Sequence, residues 1–454
     1  MTELKRDLGT GAAISIVIGT VIGSGIFLVP HDMILRAGTP SLVFLIFVFG
    51  GLLSLAGALT YAELAAALPE AGGEYAYLRE AYGPLWGFLY SWTQMWVAKS
   101  GSIATLATGF FVYLANFFPI LENVFFRIPF PIAPSGVLEV HFGQLFAIAL
   151  ILSLGGLNYF GVKLGGNVQL AVTVIKVSLF AGIIAAGLLF GHAHAPNPPA
   201  QAMTTAGFFA ALVAALWAYD GWNNVSMVAS EIRNPQRNLP LSLIGGTVAV
   251  IVIYLAANWA YFHVLTAAEV AANPRVAGEM MRRLMGPSGA NAVSVAAMIS
   301  IFAALNGSIL TGARVPYAAA RDGLFFRSFA IVHPLYSTPG GSIIGMTSWA
   351  CVLVVISGGF RELFTYVIFA SWILYGMTTL AVIVLRIKRP DLLRPYRTWG
   401  YPFVPLIFVL VAALLIVATL MDSPWESLKG LAVIAAGLPF YFYWKRASGK
   451  LKND

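Results

Sequence analysis

Lys176 is the lone charge in an apolar run over 168–189, a stretch long enough to cross a bilayer. It sits about nine residues into that run, or ~13 Å at helical rise, close to the bilayer midplane. A lysine there costs ~2.5–3.5 kcal/mol on insertion scales and can only partly snorkel out. Two roles fit. It is a fixed internal cation where some transporters hold a sodium ion, or it is paired with a buried acid for packing. Two further clusters carry chemistry. In Gly19-Thr-Val-Ile-Gly-Ser-Gly-Ile-Phe27, each glycine weakens a helix by ~1 kcal/mol relative to alanine. A break at Ser24 would start a second helix with free N–H groups and a positive dipole end, a site for a carboxylate. Gly19 and Gly23 also fit small-residue helix packing. In Trp217-Ala-Tyr-Asp-Gly-Trp-Asn-Asn224, an acid, a glycine and two asparagines fall in mid-span, where unpaired carbonyls would suit an ammonium. Donors for a carboxylate and acceptors for an amine describe a zwitterionic α-amino acid. Two interrupted spans, five apart, point to an inverted-repeat transporter with a midplane site.

The elements that must position these groups are membrane helices. The chain has 454 residues, 59% hydrophobic and only 10% charged, against roughly 25% charged in a soluble domain. Twelve apolar segments are read, at 9–37, 40–68, 85–118, 142–159, 167–190, 206–229, 240–264, 290–319, 342–357, 363–386, 401–421 and 425–444. The fold expected is all-α and integral to the membrane, a single transporter domain over 1–454. It has a 5+5 inverted repeat (about 9–190 and 206–388), broken first and sixth helices, and two C-terminal helices at about 401–444. The short polar start lacks a cleavable signal pattern. With the N-terminus inside, seventeen of the 27 Lys and Arg fall on the cytosolic side and seven outside, so both termini are expected in the cytoplasm of a cell-membrane protein. That distribution also answers the net charge of +8: it faces a lipid leaflet, and no nucleic acid is expected as a partner. The single cysteine, Cys351, lies in an apolar run and allows no intrachain disulfide. The loop 70–84 is amphipathic and expected at the cytosolic interface. The stretch 266–289 is expected to form an outer cap with short helices, and everything outside the membrane is tail or loop.

Gly23-Ser-Gly-Ile-Phe27, Ala218-Tyr-Asp-Gly-Trp-Asn-Asn224, Glu231-Ile-Arg-Asn-Pro-Gln-Arg-Asn-Leu-Pro240, and Leu305-Asn-Gly-Ser308 followed by Ala320-Arg-Asp-Gly323 resemble the amino acid–polyamine–organocation superfamily. More narrowly, they resemble its L-type branch, which includes the light subunits of heteromeric amino acid transporters. The resemblance covers nearly the whole chain. It implies that Ser24, Gly25 and Ile26 offer backbone N–H groups to the substrate carboxylate. It implies that Val21, Trp217, Ala218 and Asp220 offer carbonyls to the amine. Trp217 would be an aromatic lid, and Tyr254, in Ile253-Tyr-Leu-Ala-Ala-Asn258, would help close the inner gate. Lys176 would stand in the place of sodium and hold span one against span eight. Lys99 falls where relatives carry a basic residue in span three. The light subunits carry a cysteine between spans three and four for a heavy-subunit disulfide; 119–141 has none, so no disulfide-linked heavy subunit is expected. Asp220 has two readings, a cap for the broken helix or a carboxylate facing the pocket, the latter drawing cationic substrates.

Other residues carry less. Arg314 is expected to snorkel to the cytosolic end of span eight, and Glu63 and Glu231 to make gate or loop ion pairs. His192 and His194 could touch a metal, but no third ligand accompanies them. No metal or cofactor is expected, and no nucleophile–base pair or phosphate loop marks an enzyme. The function expected is sodium-independent transport of neutral L-amino acids, by exchange or facilitation through alternating access. The alternatives are a proton-coupled or cationic amino acid permease of the same fold, in which Lys176 titrates, and a membrane amino acid sensor.

Overall fold

The computed structural model describes residues 4–129, 137–192, 203–356, 360–422 and 424–450. Apolar composition and helix-starting signals set its elements. Helix α3 (Pro40–Ala67) shows the pattern: the Thr39 side chain accepts from the Leu42 N–H, and Pro40 occupies the first turn, where it forfeits no hydrogen bond. Among the described residues, nine helical stretches are long and apolar enough to cross a membrane, and Thr205–Tyr219 and Gly340–Ile356 are apolar but shorter.

The first span is two helices, α1 (Thr10–Val21) and α2 (Gly25–Ala37). After α3 come a short α4 (Glu74–Tyr82) and a span made of α5 (Pro84–Thr93), a π-helical turn at Gln94–Ala98, and α6 (Lys99–Leu114). Strands β1 (Val124–Pro129) and β2 (Val137–His141) then pair antiparallel before α7 (Phe142–Tyr159) and α8 (Val162–Phe190). From sequence, 119–141 reads as plain loop; β-branched and aromatic residues around the hairpin are the signal that such a reading misses. Helix α9 (Thr205–Tyr219) is followed by two 3-10 turns, Asn224–Met227 and Ala229–Glu231. The second half of the sixth span is therefore not an α-helix. Helix α10 (Pro235–Val264), the short α11 (Ala267–Ala272), α12 (Val276–Gly312) and α13 (Arg314–Arg321) come next, then α14 (Gly340–Ile356), α15 (Phe360–Lys388), α16 (Phe403–Asp422) and α17 (Pro424–Lys450).

Burial sorts these into an inner and an outer set. Every residue from Ala303 to Gly312 of α12 is buried, as expected of a helix wrapped by others. Helices α8 and α16 turn Val174, Ile175, Leu189, Leu410 and Val417 outward. Helix α4 is more enclosed than an amphipathic surface loop: Glu74, Tyr75, Ala76, Tyr77, Leu78 and Ala81 are all buried, because it packs against α5 and α15.

On the face that carries Leu8, the chain is stitched across. The Leu8 N–H donates to the Glu231 carbonyl at 3.0 Å, and the Arg233 N–H donates back to Leu8 at 2.9 Å. The Gly72 N–H donates to Met227 at 2.8 Å. Arg314 corrects another expectation. It does not snorkel; it is fully buried and grips Glu231 through Nε at 2.7 Å and Nη2 at 3.1 Å. Its Nη1 also donates to the Leu310 carbonyl at 2.5 Å, which holds the side chain inside. Glu63 pairs with Arg386 at 2.7 Å and Arg394 at 3.4 Å.

Candidate functional site

The two helix breaks face each other. Helix α1 ends at Val21, and Ile22, Gly23 and Ser24 are non-helical before α2 begins. A Cβ on Gly25 would lie 2.9 Å from the Ala218 Cα, so only glycine lets α2 start this close to α9. Among the described residues, the Ser24, Gly25 and Ile26 N–H groups find no backbone acceptor, as at any helix start. On the opposite side α9 stops at Tyr219, Asp220 is extended, and Gly221 takes φ +104. The Thr20 hydroxyl donates to the Gly221 carbonyl at 3.0 Å, tying one break to the other.

Between them lies a small, partly open cleft. The first break supplies Val21, Gly23, Ser24 and Gly25, and the second supplies Trp217, Asp220, Gly221 and Asn224; Ser102 and Leu106 come from α6, and Ser308 from α12. Orphan amides on one wall and released carbonyls on the other can hold a small zwitterion. Asp220 lines this cleft, and its Oδ1 accepts from the Tyr375 hydroxyl at 3.0 Å.

The carbonyls are less open than the sequence alone suggests. The Val21 carbonyl accepts from the Gly23 N–H at 2.8 Å and from the Tyr254 hydroxyl at 3.0 Å, which uses both lone pairs. The same Tyr254 hydroxyl lies 2.8 Å from the Ala218 carbonyl, and the Trp217 carbonyl accepts from the Asp220 N–H at 3.1 Å. One hydroxyl proton is thus shared between the two breaks, where an ammonium would bring three.

Lys176, fully buried at the middle of α8, donates to the carbonyls of Gly19 at 2.7 Å, Ile22 at 2.5 Å and Ser300 at 3.4 Å. No salt bridge engages it among the described residues, so the acid-paired alternative does not describe it. The Ser300 hydroxyl also donates to Ile22 at 2.8 Å. Gly19 has no side chain where Gln169 and Thr173 of α8 press against α1, which brings Lys176 within reach.

Several polar groups went unread in the sequence. Asn306 donates to Gln169 at 2.9 Å and accepts from Asn158 at 2.9 Å; amides on three helices do not announce a ladder. Lys99 donates to Asn224 Oδ1 at 2.7 Å. Glu74 of α4 accepts from Asn223 and, at 3.3 Å, from the Ser226 hydroxyl. Burial, the largest influence on it, raises the Glu74 carboxyl above the usual range. His192 is exposed, His194 lies outside the described residues, and no cluster of metal-ligating side chains occurs among the described residues.

Helices of this length and apolarity, with two interrupted spans facing a cleft, define a class: multi-pass membrane proteins built like carriers of small solutes. Residues 8–436 match the family model described as amino acid permease, and the chain belongs to that family, within the amino acid–polyamine–organocation superfamily. It is 34% identical over 449 residues to the b(0,+)-type amino acid transporter 1 of Mus musculus, covering 97% of this chain and 88% of the relative. It is 33% identical over 446 residues to the serine/threonine exchanger SteT of Bacillus subtilis, covering 98% of each. The large neutral amino acids transporter small subunit 2 of Mus musculus is 30% identical over 469 residues, covering 99% and 83%. The family is one of transporters, not enzymes, and the protein is a multi-pass membrane protein.

Proposed function

We propose that the protein is a sodium-independent transporter of neutral L-amino acids that works by alternating access, as an exchanger or facilitator. The observation that carries this is the Lys176 ammonium in its cage of three carbonyls. Half-helix C-termini and unwound carbonyls are the groups that coordinate a driving cation in transporters with broken spans. Here the cation is covalently part of the chain, so no sodium gradient is consumed. The Ser24, Gly25 and Ile26 amides take the substrate carboxylate. The carbonyls of Val21, Trp217, Ala218 and Asp220 take the amine, which displaces the Tyr254 hydroxyl. Trp217 covers the cleft on one side, and Tyr254 braces the other.

Neutral substrates are favoured because the buried Lys99 ammonium, held on Asn224 at the cleft wall, offsets the Asp220 carboxylate there, and a balanced cleft suits a zwitterion with an uncharged side chain. The relatives include a serine/threonine exchanger and a large neutral amino acid transporter subunit, which supports amino acid exchange here. The reading includes a 5+5 inverted repeat and a cell-membrane location with the Leu8 face toward the cytosol. It needs no disulfide-linked heavy subunit. Uptake of labelled alanine and threonine by proteoliposomes tests it. The expected rate is the same in sodium and in choline; a collapse in choline refutes sodium independence. Acidification of the lumen during uptake, read with a pH dye, would replace it with the proton-coupled alternative.

A further inference from the structure

We propose that Asn224 reads the substrate side chain as a hydrogen-bond donor, that Lys99 is the positioning residue that fixes it in that role, and that the cleft thereby selects small amino acids with an oxygen on Cβ. This rests on the cleft being the substrate site proposed above. Asn224 lines the cleft and is only 3% exposed. Its Oδ1 accepts from Lys99 Nζ at 2.7 Å. An ammonium has three donors and no acceptor, so the amide has one orientation, oxygen toward Lys99 and Nδ2 away from it. That Nδ2 finds no protein acceptor among the described residues. It lies beside Gly221, where an added Cβ would come within 3.3 Å of it. Without a protein acceptor and at the cleft wall, this donor is left for a ligand or water to satisfy.

Lys99 is delivered to this task by local structure. The π-helical turn over Gln94–Ala98 directly precedes it. Such a turn inserts one residue and rotates the helix beyond it, which is why these turns recur at functional sites. The lysine stem lies where Gly312 of α12 has no Cβ to obstruct it. Lys99 is only 7% exposed and does not line the cleft, so it acts on the substrate through Asn224. The Ser102 and Ser308 hydroxyls that share the wall can donate or accept, whereas the fixed amide can only donate. Threonine and serine present the acceptor it needs; valine and 2-aminobutyrate have the same shape without it. A site built to hydrogen-bond a substrate oxygen discriminates more sharply than one that only measures a methyl.

Competition for labelled alanine uptake in sodium-free proteoliposomes gives a threonine-to-valine preference and a serine-to-2-aminobutyrate preference within each variant. The full-length wild type is expected to favour the hydroxyl member ~10-fold or more. Asn224→Leu brings both ratios to near one. Lys99→Met frees the amide to turn over and lowers both ratios several-fold, while Lys99→Arg, which still donates to Oδ1, restores them. A structural role alone would change rates without moving the ratios. Should Asn224→Leu not fold, the ratios in Lys99→Met and Lys99→Arg decide the matter, with ligand-induced tryptophan fluorescence as the second measurement. Alanine uptake with unchanged ratios in the variants overturns this inference alone. A wild type that transports no neutral amino acid overturns it together with the function on which it rests.

Discussion

Three protons and three carbonyls meet at Lys176. The ammonium reaches Gly19, Ile22 and Ser300, so each N–H has an acceptor and the charge is solvated by backbone dipoles rather than by a carboxylate. That arrangement fixes the end of α1 to α8 and α12 at the point where α1 comes apart. Lys176→Met keeps an unbranched side chain, one atom shorter, and removes every donor. The Gly19 carbonyl loses its donor, at ~1–3 kcal/mol for a buried group left unpaired, while Ser300 keeps its bond within α12 and Ile22 keeps the Ser300 hydroxyl. We expect the substitution to slow exchange by ~10–100-fold, since 1.4 kcal/mol is a factor of ten, with the protein still monodisperse in detergent. The vacated carbonyls are hard oxygen ligands, so sodium should partly restore the variant's rate while leaving the wild type unaffected. Initial rates in sodium and choline decide it; a variant with wild-type kinetics in both would remove Lys176 from the mechanism.

At the scale of elements, the alternating access proposed above requires the pieces joined on the Leu8 face to separate. The turn at Ala229–Glu231 is joined to α13 by the fully buried Arg314–Glu231 pair and to the N-terminal segment by the Leu8 hydrogen bonds. Removing one member of a buried pair strands the other, at ~3–5 kcal/mol, whereas removing both charges is far milder. Arg314→Met is therefore expected to lower the melting midpoint markedly, and Glu231→Gln with Arg314→Met to recover much of the loss. Equal midpoints for the single and double variants would show that the pair is not coupled. This pair also marks where the sequence stops being informative. The breaks could be read because glycine and asparagine are poor helix formers wherever they stand, and Lys176 because a lone charge in hydrocarbon is conspicuous. Arg314 reads as a snorkelling residue because its partner, Glu231, is 83 positions away in the chain. The contact of Lys99 with Asn224 joins residues 125 positions apart, and depends on a π turn that no composition signals. The burial of α4 was hidden for a related reason: an amphipathic pattern is the same whether the polar side meets water or, as with Glu74, the unwound part of another span.

Across the whole molecule, the proposed function makes transport depend on a ligand between the two breaks. On that reading the ligand's carboxylate answers the α2 amides and its ammonium answers the α9 and α1 carbonyls. In the structure the amides of Ser24, Gly25 and Ile26 have no backbone acceptor among the described residues, and Thr20 and the shared Tyr254 proton bridge the broken ends. Closing both faces around an empty cleft would bury those groups unpaired, at ~1–3 kcal/mol apiece. The empty carrier should then recross more slowly than the loaded one by at least ~10-fold, because each 1.4 kcal/mol on that step is a factor of ten. Labelled threonine entering liposomes preloaded with unlabelled threonine is expected to exceed entry into empty liposomes by that factor, at equal internal volume and with no ion gradient. Equal rates would mean that the empty carrier returns freely, and the protein would then be a facilitator. Tyr254→Phe sharpens the distinction. It removes the one hydroxyl that joins Val21 to Ala218 in the absence of substrate, so uptake into empty liposomes should fall further than exchange. A loss of equal size in both would show that Tyr254 serves the loaded carrier as much as the empty one.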